Sequence, residues 1–305
     1  MNFKKLEIAD YPALKPFFAN IPCRLSIYSL PSLIAWSNCV FEARYAVEGD
    51  LLVIANESDV RPEERHLILP LSLSGDVPPE KLHDIAMNLG FRGYCCIPED
   101  YVERYRDRLD ALFSMEEQGE FEDYVYLAED LASLKGNRFV RKRNLIHQFQ
   151  REFMNNGVRV HIEPITAGSA PECLAFLEAW CEQRDCDVDG DVDLACERRA
   201  VITSLENLEA LDLKGILIRV DGTVNAFGIA SRLNDEMGIL NYEKAFSDVK
   251  GLYQFLDNQC AKQLFAGYRY INKESDMNLP NLAHMKRSYH PVLRVKSYKL
   301  TLKEG

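Results

Sequence analysis

Between Arg138 and Arg151 the chain reads RFVRKRNLIHQFQR, a window with five arginines and lysines and no acid. Phe139, Leu145, Ile146 and Phe149 recur at spacings that suit the apolar face of one helix, which leaves Arg141, Lys142, Arg143 and His147 on the remaining surface. A basic face on a protein of formal charge −11 is a candidate phosphate or carboxylate site, because local field rather than net charge attracts a ligand. The same pattern also fits a solvated helix with ordinary surface charges. A second stretch, from Asp185 to Asp193, carries acids at alternate positions and Gly190 at the sixth, as a calcium loop does. Its twelfth position is Cys196 where a bidentate Glu is needed, and Glu197 falls one place late, so an acidic solvated loop is the expectation. No Gly-x-Ser-x-Gly elbow marks a serine nucleophile and no Cys-x-x-Cys pair marks zinc. His147, His284 and His290 show no spacing that demands a metal, and none is assigned.

Composition bounds what these residues can belong to. A chain of 305 residues, 47% hydrophobic and 27% charged, has ordinary globular composition and is long enough for two domains with their own cores. No run approaches the ~18 apolar residues needed to span a bilayer. The start, MNFKKLEIADYPALKPFF, holds acids and prolines and no long apolar signal core, so it reads as part of the mature fold. Nine scattered cysteines, an odd number, fit a reducing cytoplasm better than a disulfide framework. Bulk acidity argues against extended duplex DNA binding but not against a local anion site.

The elements that must position the basic helix come in two similar runs. In the first half, residues 39–46 and 51–55 read as strands around Glu48-Gly49-Asp50, a hairpin signal. Residues 66–71 read as a strand, 79–89 as a helix stopped by Gly90, 91–97 as a strand and 99–119 as a charged helix. In the second half, strands at 216–220 and 224–231 flank Asp221-Gly222-Thr223, a strand covers 237–242 and a helix covers 252–265. Gly267-Tyr268-Arg269 before a strand matches Gly90-Phe91-Arg92 before a strand, and Leu177-Glu178-Ala179-Trp180 matches Leu33-Ile34-Ala35-Trp36. The interval from turn glycine to helix-stop glycine is 41 residues in the first half and 45 in the second. These matches predict an internal duplication: an N-terminal unit over 1–130, a connecting basic helix over 131–160 and a C-terminal unit over 161–305.

Several blocks carry a resemblance to a known family. Asp123-Tyr124-Val125-Tyr126, residues 131–136, and Lys142-Arg143-Asn144 with His147 and Phe149 form the first. Tyr242-Glu243-Lys244-Ala245 with Gly251-Leu252-Tyr253-Gln254 forms the second. Ile271-Asn272-Lys273-Glu274-Ser275-Asp276, followed by Lys286-Arg287-Ser288-Tyr289-His290-Pro291, forms the third. Together they are similar to the bacterial family of uncharacterised proteins related to the phosphatidylglycerol lysyltransferase C-terminal domain, over most of residues 121–298. The family pattern has glycines near 278 and 281, where this chain has Asn278 and Asn281; asparagine best tolerates a left-handed backbone after glycine.

The resemblance implies a mixed α/β fold of two tandem acyltransferase units of the GNAT type, each a mostly antiparallel mixed sheet flanked by helices. It implies transfer of an acyl or aminoacyl group from acyl-coenzyme A or aminoacyl-tRNA to an amine or hydroxyl. Such chemistry needs oxyanion donors, a base or water relay, and an anion cradle. Strand residues 238–242 are then the source of backbone donors, and Lys250, Gly251 and Leu252, opening a helix, are the candidate phosphate contacts. Glu243 and Glu274 are the candidate bases and Tyr289 a candidate proton donor, beside ion-pair, turn or packing roles for all three. Lys286, Arg287 and the basic helix are candidate holders of an acidic group. A noncatalytic ligand-binding module, or a calcium-responsive regulator using residues 185–196, stays open as the alternative.

Overall fold

A computed structural model describes residues 1–305 except 20, 22, 38–39, 184–191 and 304–305, and the side chains of 192 and 193. Two mixed sheets organise it. The first holds β1 (Lys4–Lys5), β2 (Glu42–Glu48), β3 (Leu51–Glu57), β4 (His66–Leu67), β5 (Leu71–Ser72), β6 (Gly93–Pro98) and β7 (Phe113–Glu117). The second holds β8 (Asp123–Leu127), β9 (Val160–Pro164), β10 (Lys214–Val220), β11 (Thr223–Arg232), β12 (Met237–Ala245), β13 (Tyr270–Asn272) and β14 (Leu293–Val295). The last strand, β15 (Ser297–Leu302), returns to the first sheet. Helices α1 (Tyr11–Phe18), α2 (Leu30–Trp36), α3 (Pro79–Leu89) and α4 (Glu99–Leu112) accompany the first sheet. After α5 (Ala128–Ser133) and α6 (Val140–Glu152), the connecting helices, come α7 (Ala170–Glu182), α8 (Val192–Glu206), α9 (Leu252–Gln263) and α10 (Pro280–Arg287).

The strand orders β1-β2-β3-β4-β6-β15-β7 and β9-β10-β11-β12-β13-β8-β14 match position by position. So do the senses: the fourth and fifth strands are parallel in each sheet and every other neighbouring pair is antiparallel. In each sheet the sixth position is filled from the other run of chain, by β15 in the first and β8 in the second. A division at residue 130 therefore leaves β8 on the wrong side of its own sheet, and one at 161 does the same for β15. The strands interlock the two units.

Alternation along each strand explains the layers. On β3, Leu52 and Ile54 face a core shared with α1, α2, α7, α8 and β11, while Val53 and Ala55 face a second core with α3 and α4. On β8, Val125 joins the shared core and Tyr124 and Tyr126 face a third, built with α5, α6 and α9. One hydrophobic core thus runs between the sheets.

Three local expectations change. The charged helix expected over 99–119 stops at Leu112, because Phe113 is fully buried and residues 113–117 pair with β15. The strand expected over 66–71 is two short pieces, β4 and β5, separated around Pro70, which has no N–H for a ladder. The Leu-x-Ala-Trp match joins α2, the second helix of its half, to α7, the first of its own, so these tryptophans are not equivalent in topology. Gly90 caps α3 at φ 68°, as its position predicts. Among the described residues, Cys23, Cys95, Cys96, Cys173 and Cys260 carry free thiols, whereas Cys196 is disulfide-bonded.

Candidate active site

The second sheet opens between β12 and β13. Their parallel pairing covers only Met237 with Tyr270, Gly238 with Ile271 and Ile239 with Asn272, yet β12 continues to Ala245. On its other side, β12 carries a register shift against β11: Ile229 faces Tyr242 and Ala230 faces Leu240, which leaves Asn241 as the extra residue. Such a bulge re-aims side chains. Asn241 turns to the shared core, where its amide donates to Ser32 Oγ on α2 (2.9 Å), while Glu243 turns toward α9.

Glu243 enters a buried charge cluster there. Lys273, just past β13, places Nζ 2.7 Å from Glu243 and 2.9 Å from Asp257 of α9. Burial, then the Asp257 charge, pushes the Glu243 carboxyl up to about 7, against the pull of Lys273. Burial opposes charge on Lys273, but Asp257 and Glu243 hold its pKa well above the ordinary lysine value. Glu243 Oε1 and Asp257 Oδ2 are buried with no hydrogen-bond partner. Tyr289 closes the cluster: Lys142 Nζ lies 3.7 Å and Lys273 Nζ 5.2 Å from its ring centroid. Burial, with the nearby Asp257 and Glu243 charges, lifts its phenol well above the ordinary tyrosine value.

Beside this cluster the chain after β13 carries Glu274 on the opposite side of the backbone from Lys273. Its carboxyl reaches the Asn241 side chain, and burial raises it to about 8 although Lys286 pulls the other way. Asp123 of β8 accepts from Ser26 N–H (2.6 Å) and from Asn272 Nδ2 (2.8 Å), which ties β8, β13 and the first unit together. Lys286 does not face an external anion: its Nζ donates to the carbonyls of Lys273 (2.5 Å), Glu274 (3.1 Å) and Ser275 (2.5 Å). Burial brings its pKa down to about 8.

The basic helix divides into three kinds of residue. Lys142 turns inward and donates to Ser288 Oγ (2.7 Å), and burial lowers its pKa to about 8. Arg143 is structural, donating to the carbonyls of Leu134 and Gly136 at the end of α5. Arg141 and His147 are exposed, as are Arg287, His284 and His290. Lys250 is exposed, but Gly251 and Leu252 are buried at the α9 N-terminus. Gly251 sits at φ 85°, and a Cβ there would lie 2.1 Å from the Leu145 carbonyl oxygen of α6. That glycine admits the basic helix against α9, and α6 covers the start of α9 where phosphate contacts were expected. Asn278 takes a left-handed φ of 57°, the conformation expected for it.

Glu243, Tyr289 and Lys142 therefore converge, with Lys286 and Glu274 adjacent, whereas Arg141, His147, Arg287 and Lys250 lie outside. Sequence reasoning missed Asp257 and Lys273. Asp257 had a signal: in α9 it falls at helical spacing from Tyr253, Cys260 and Ala261, on a face where an acid needs a buried partner. Two surface clefts lie apart from the cluster, one between α1 and residues 69–77 and one beside Arg24 and Tyr270. The charged cluster is the better candidate because its groups are the ones able to move protons. Residues 185–191 of the acidic run, and the Asp193 side chain, lie outside the described residues. Among those described, no three His, Cys, Asp or Glu side chains are placed to hold a metal, and no helix is long and apolar enough to cross a membrane.

Residues 89–301 match the family described as phosphatidylglycerol lysyltransferase, C-terminal, which is well over half of the chain. A conserved protein of unknown function from Bacteroides thetaiotaomicron is 29% identical, with a TM-score of 0.88 over 99% of this chain and 100% of its own. The C-terminal domain of a protein assigned as a lysylphosphatidylglycerol synthetase from Agrobacterium fabrum shares 13% identity and a TM-score of 0.64, over 96% of this chain and 90% of its own. No curated protein matches the chain.

Proposed function

Because the chain belongs to the family of the phosphatidylglycerol lysyltransferase C-terminal domain, we propose that it is an acyl- or aminoacyltransferase acting at the β12–β13 opening. The observation that carries this reading is the pair of raised carboxyls, Glu243 at about 7 and Glu274 at about 8, flanking one split in the sheet. A carboxylate near 7 accepts a proton from an amine or hydroxyl as that atom bonds to the acyl carbon. The bond from that carbon to the leaving sulfur or ribose oxygen breaks, and the leaving group takes up a proton. The buried lysines Lys142, Lys273 and Lys286 bring positive charge near the place where the oxyanion develops. Donor is acyl-coenzyme A or aminoacyl-tRNA; the exposed Arg141, His147, Lys250 and Arg287 are the available contacts for its phosphates. The repeated strand order fits an internal duplication in which the second unit carries the chemistry.

One observation favours the alternative, a noncatalytic module that keeps the fold and binds an anion. The α9 N-terminus, where a phosphate would meet backbone amides, packs against α6 at Gly251. Calorimetric titration with coenzyme A and acetyl-coenzyme A at low and moderate salt separates the readings. Saturable binding weakened by Lys250→Ala supports a thioester donor at this unit. Absence of binding moves the donor to aminoacyl-tRNA, tested by transfer from charged tRNA; no transfer there leaves the binding module.

A further inference from the structure

The segment after β13 has an unusual backbone. Glu274, Met277 and Asn278 have φ of 60°, 49° and 57°, a left-handed region that is unfavourable for a non-glycine residue. Such a conformation persists only where the surroundings over-determine it. Asn272 Oδ1 accepts the Glu274 N–H (2.6 Å), and Asp276 Oδ1 accepts the Asn278 N–H (3.0 Å). Asp276 is itself held by the Tyr124 hydroxyl (2.6 Å). The closest tie comes from α10, where one ammonium meets three successive carbonyls, those of Lys273, Glu274 and Ser275. An ammonium has three donors, so these contacts can use all of them, and its charge strengthens each bond. Lys286 is 7% exposed, and its own carbonyl accepts from the Tyr126 hydroxyl (2.9 Å), which fixes where the side chain starts. The charged groups facing it are Glu274, Lys273, Asp123 and Glu243. Burying a charged amine on neutral carbonyls costs free energy that an apolar side chain at the same place would not.

We infer that Lys286 is a positioning residue: its ammonium fixes the left-handed backbone at Glu274 and so holds that carboxyl against the β12 side of the split. This rests on Glu274 as a proton acceptor in the proposed reaction. Without that ammonium only the Asn272, Asp276 and Tyr124 bonds remain, and relaxation of the segment toward ordinary φ would swing the carboxyl away from Asn241.

The test uses the whole protein in two measurements. Hydrogen exchange followed by mass spectrometry reads residues 273–279 in wild type, Lys286→Met and Lys286→Arg. Carbon NMR of labelled glutamate carboxyls, assigned with Glu274→Gln, reads the Glu274 midpoint. Lys286→Met is expected to speed exchange in 273–279 by about tenfold or more while leaving β10 and β11 protected. The Glu274 midpoint should rise, because a nearby cation is lost. Lys286→Arg, which keeps charge and donors, should restore part of the protection. Unchanged exchange in folded Lys286→Met, or no gain in Lys286→Arg over it, overturns the inference. If Lys286→Met does not fold, Lys286→Gln replaces it, and equal protection in the Gln and Arg variants overturns it. Full turnover in Glu274→Gln would remove the acid–base reading of that residue but would leave the exchange result standing, so the two failures are distinguishable.

Discussion

Lys273 and Glu243 meet at 2.7 Å in a place where 5% of the lysine side chain and 16% of the glutamate side chain reach solvent. Asp257 holds the same ammonium from α9, so one cation is shared by two carboxyl groups and can balance the charge of only one. Removing the cation leaves both acids buried without a partner, and Lys273→Met should cost roughly 3–5 kcal/mol of stability. Asp257→Asn keeps the Glu243 pair, and the loss should be smaller. Urea unfolding of the two variants checks the order; equal stabilities would show that the ammonium does not hold both carboxylates.

The same cluster sets a pH dependence. Glu243 and Glu274 have folded pKa values of about 7 and about 8, above the ordinary glutamate value. A carboxyl raised in this way favours the folded state fully below its unfolded pKa, and that contribution is lost as pH climbs to the folded value. Stability should therefore fall between about pH 4.5 and pH 8. Glu274→Gln cannot ionise, so the drop in melting temperature from pH 5 to pH 8 should shrink. A variant with the wild-type pH slope would contradict the raised carboxyl.

Much of the architecture was legible because it rests on local signals. Turn residues at Gly49 and Gly222, the stop at Gly90 and the apolar face of α6 each report their own element. The exchange of β8 and β15 was not legible, since both strands carry ordinary alternation and nothing in residues 123–127 or 297–302 names a partner sheet. The site divides likewise. Glu243, Glu274, Lys142 and Tyr289 stood out by residue type within the family-like blocks. The inward turn of Lys286 was invisible, because a lysine in a polar stretch reads as surface until its three carbonyl partners fold over it.

Gly251 offers a sharper test of the basic helix. A Cβ at this position would fall 2.1 Å from the Leu145 carbonyl oxygen and 3.2 Å from Phe149 Cβ, at a φ of 85°. Backbone cannot retreat as the tip of a flexible side chain can, so Gly251→Ala should push α6 away from α9 and cost roughly 2 kcal/mol or more. Gly222→Ala has the same kind of φ, 87°, but nothing within 4 Å, so it isolates the conformational part alone. Chemical denaturation of both variants should show the larger loss at 251. Equal losses would mean that close approach of the helices contributes nothing.

The shared core and the exchanged strands make a claim about cooperativity. Leu300 of β15 is fully buried in the core of the first sheet, although it lies at the far end of the chain. Leu300→Ala should destabilise by roughly 2–5 kcal/mol through lost burial and the cavity left behind. Because Leu52 and Ile54 of the first sheet pack in one cluster with Phe227 and Ile229 of the second, that loss should reach both halves. The two tryptophans, Trp36 in α2 and Trp180 in α7, report on the halves separately. Single-tryptophan variants, Trp36→Phe and Trp180→Phe, should show denaturation curves with coincident midpoints, both shifted by Leu300→Ala to the same extent. A midpoint that moves only for the Trp36 reporter would mean that the units unfold independently despite their interlocked strands.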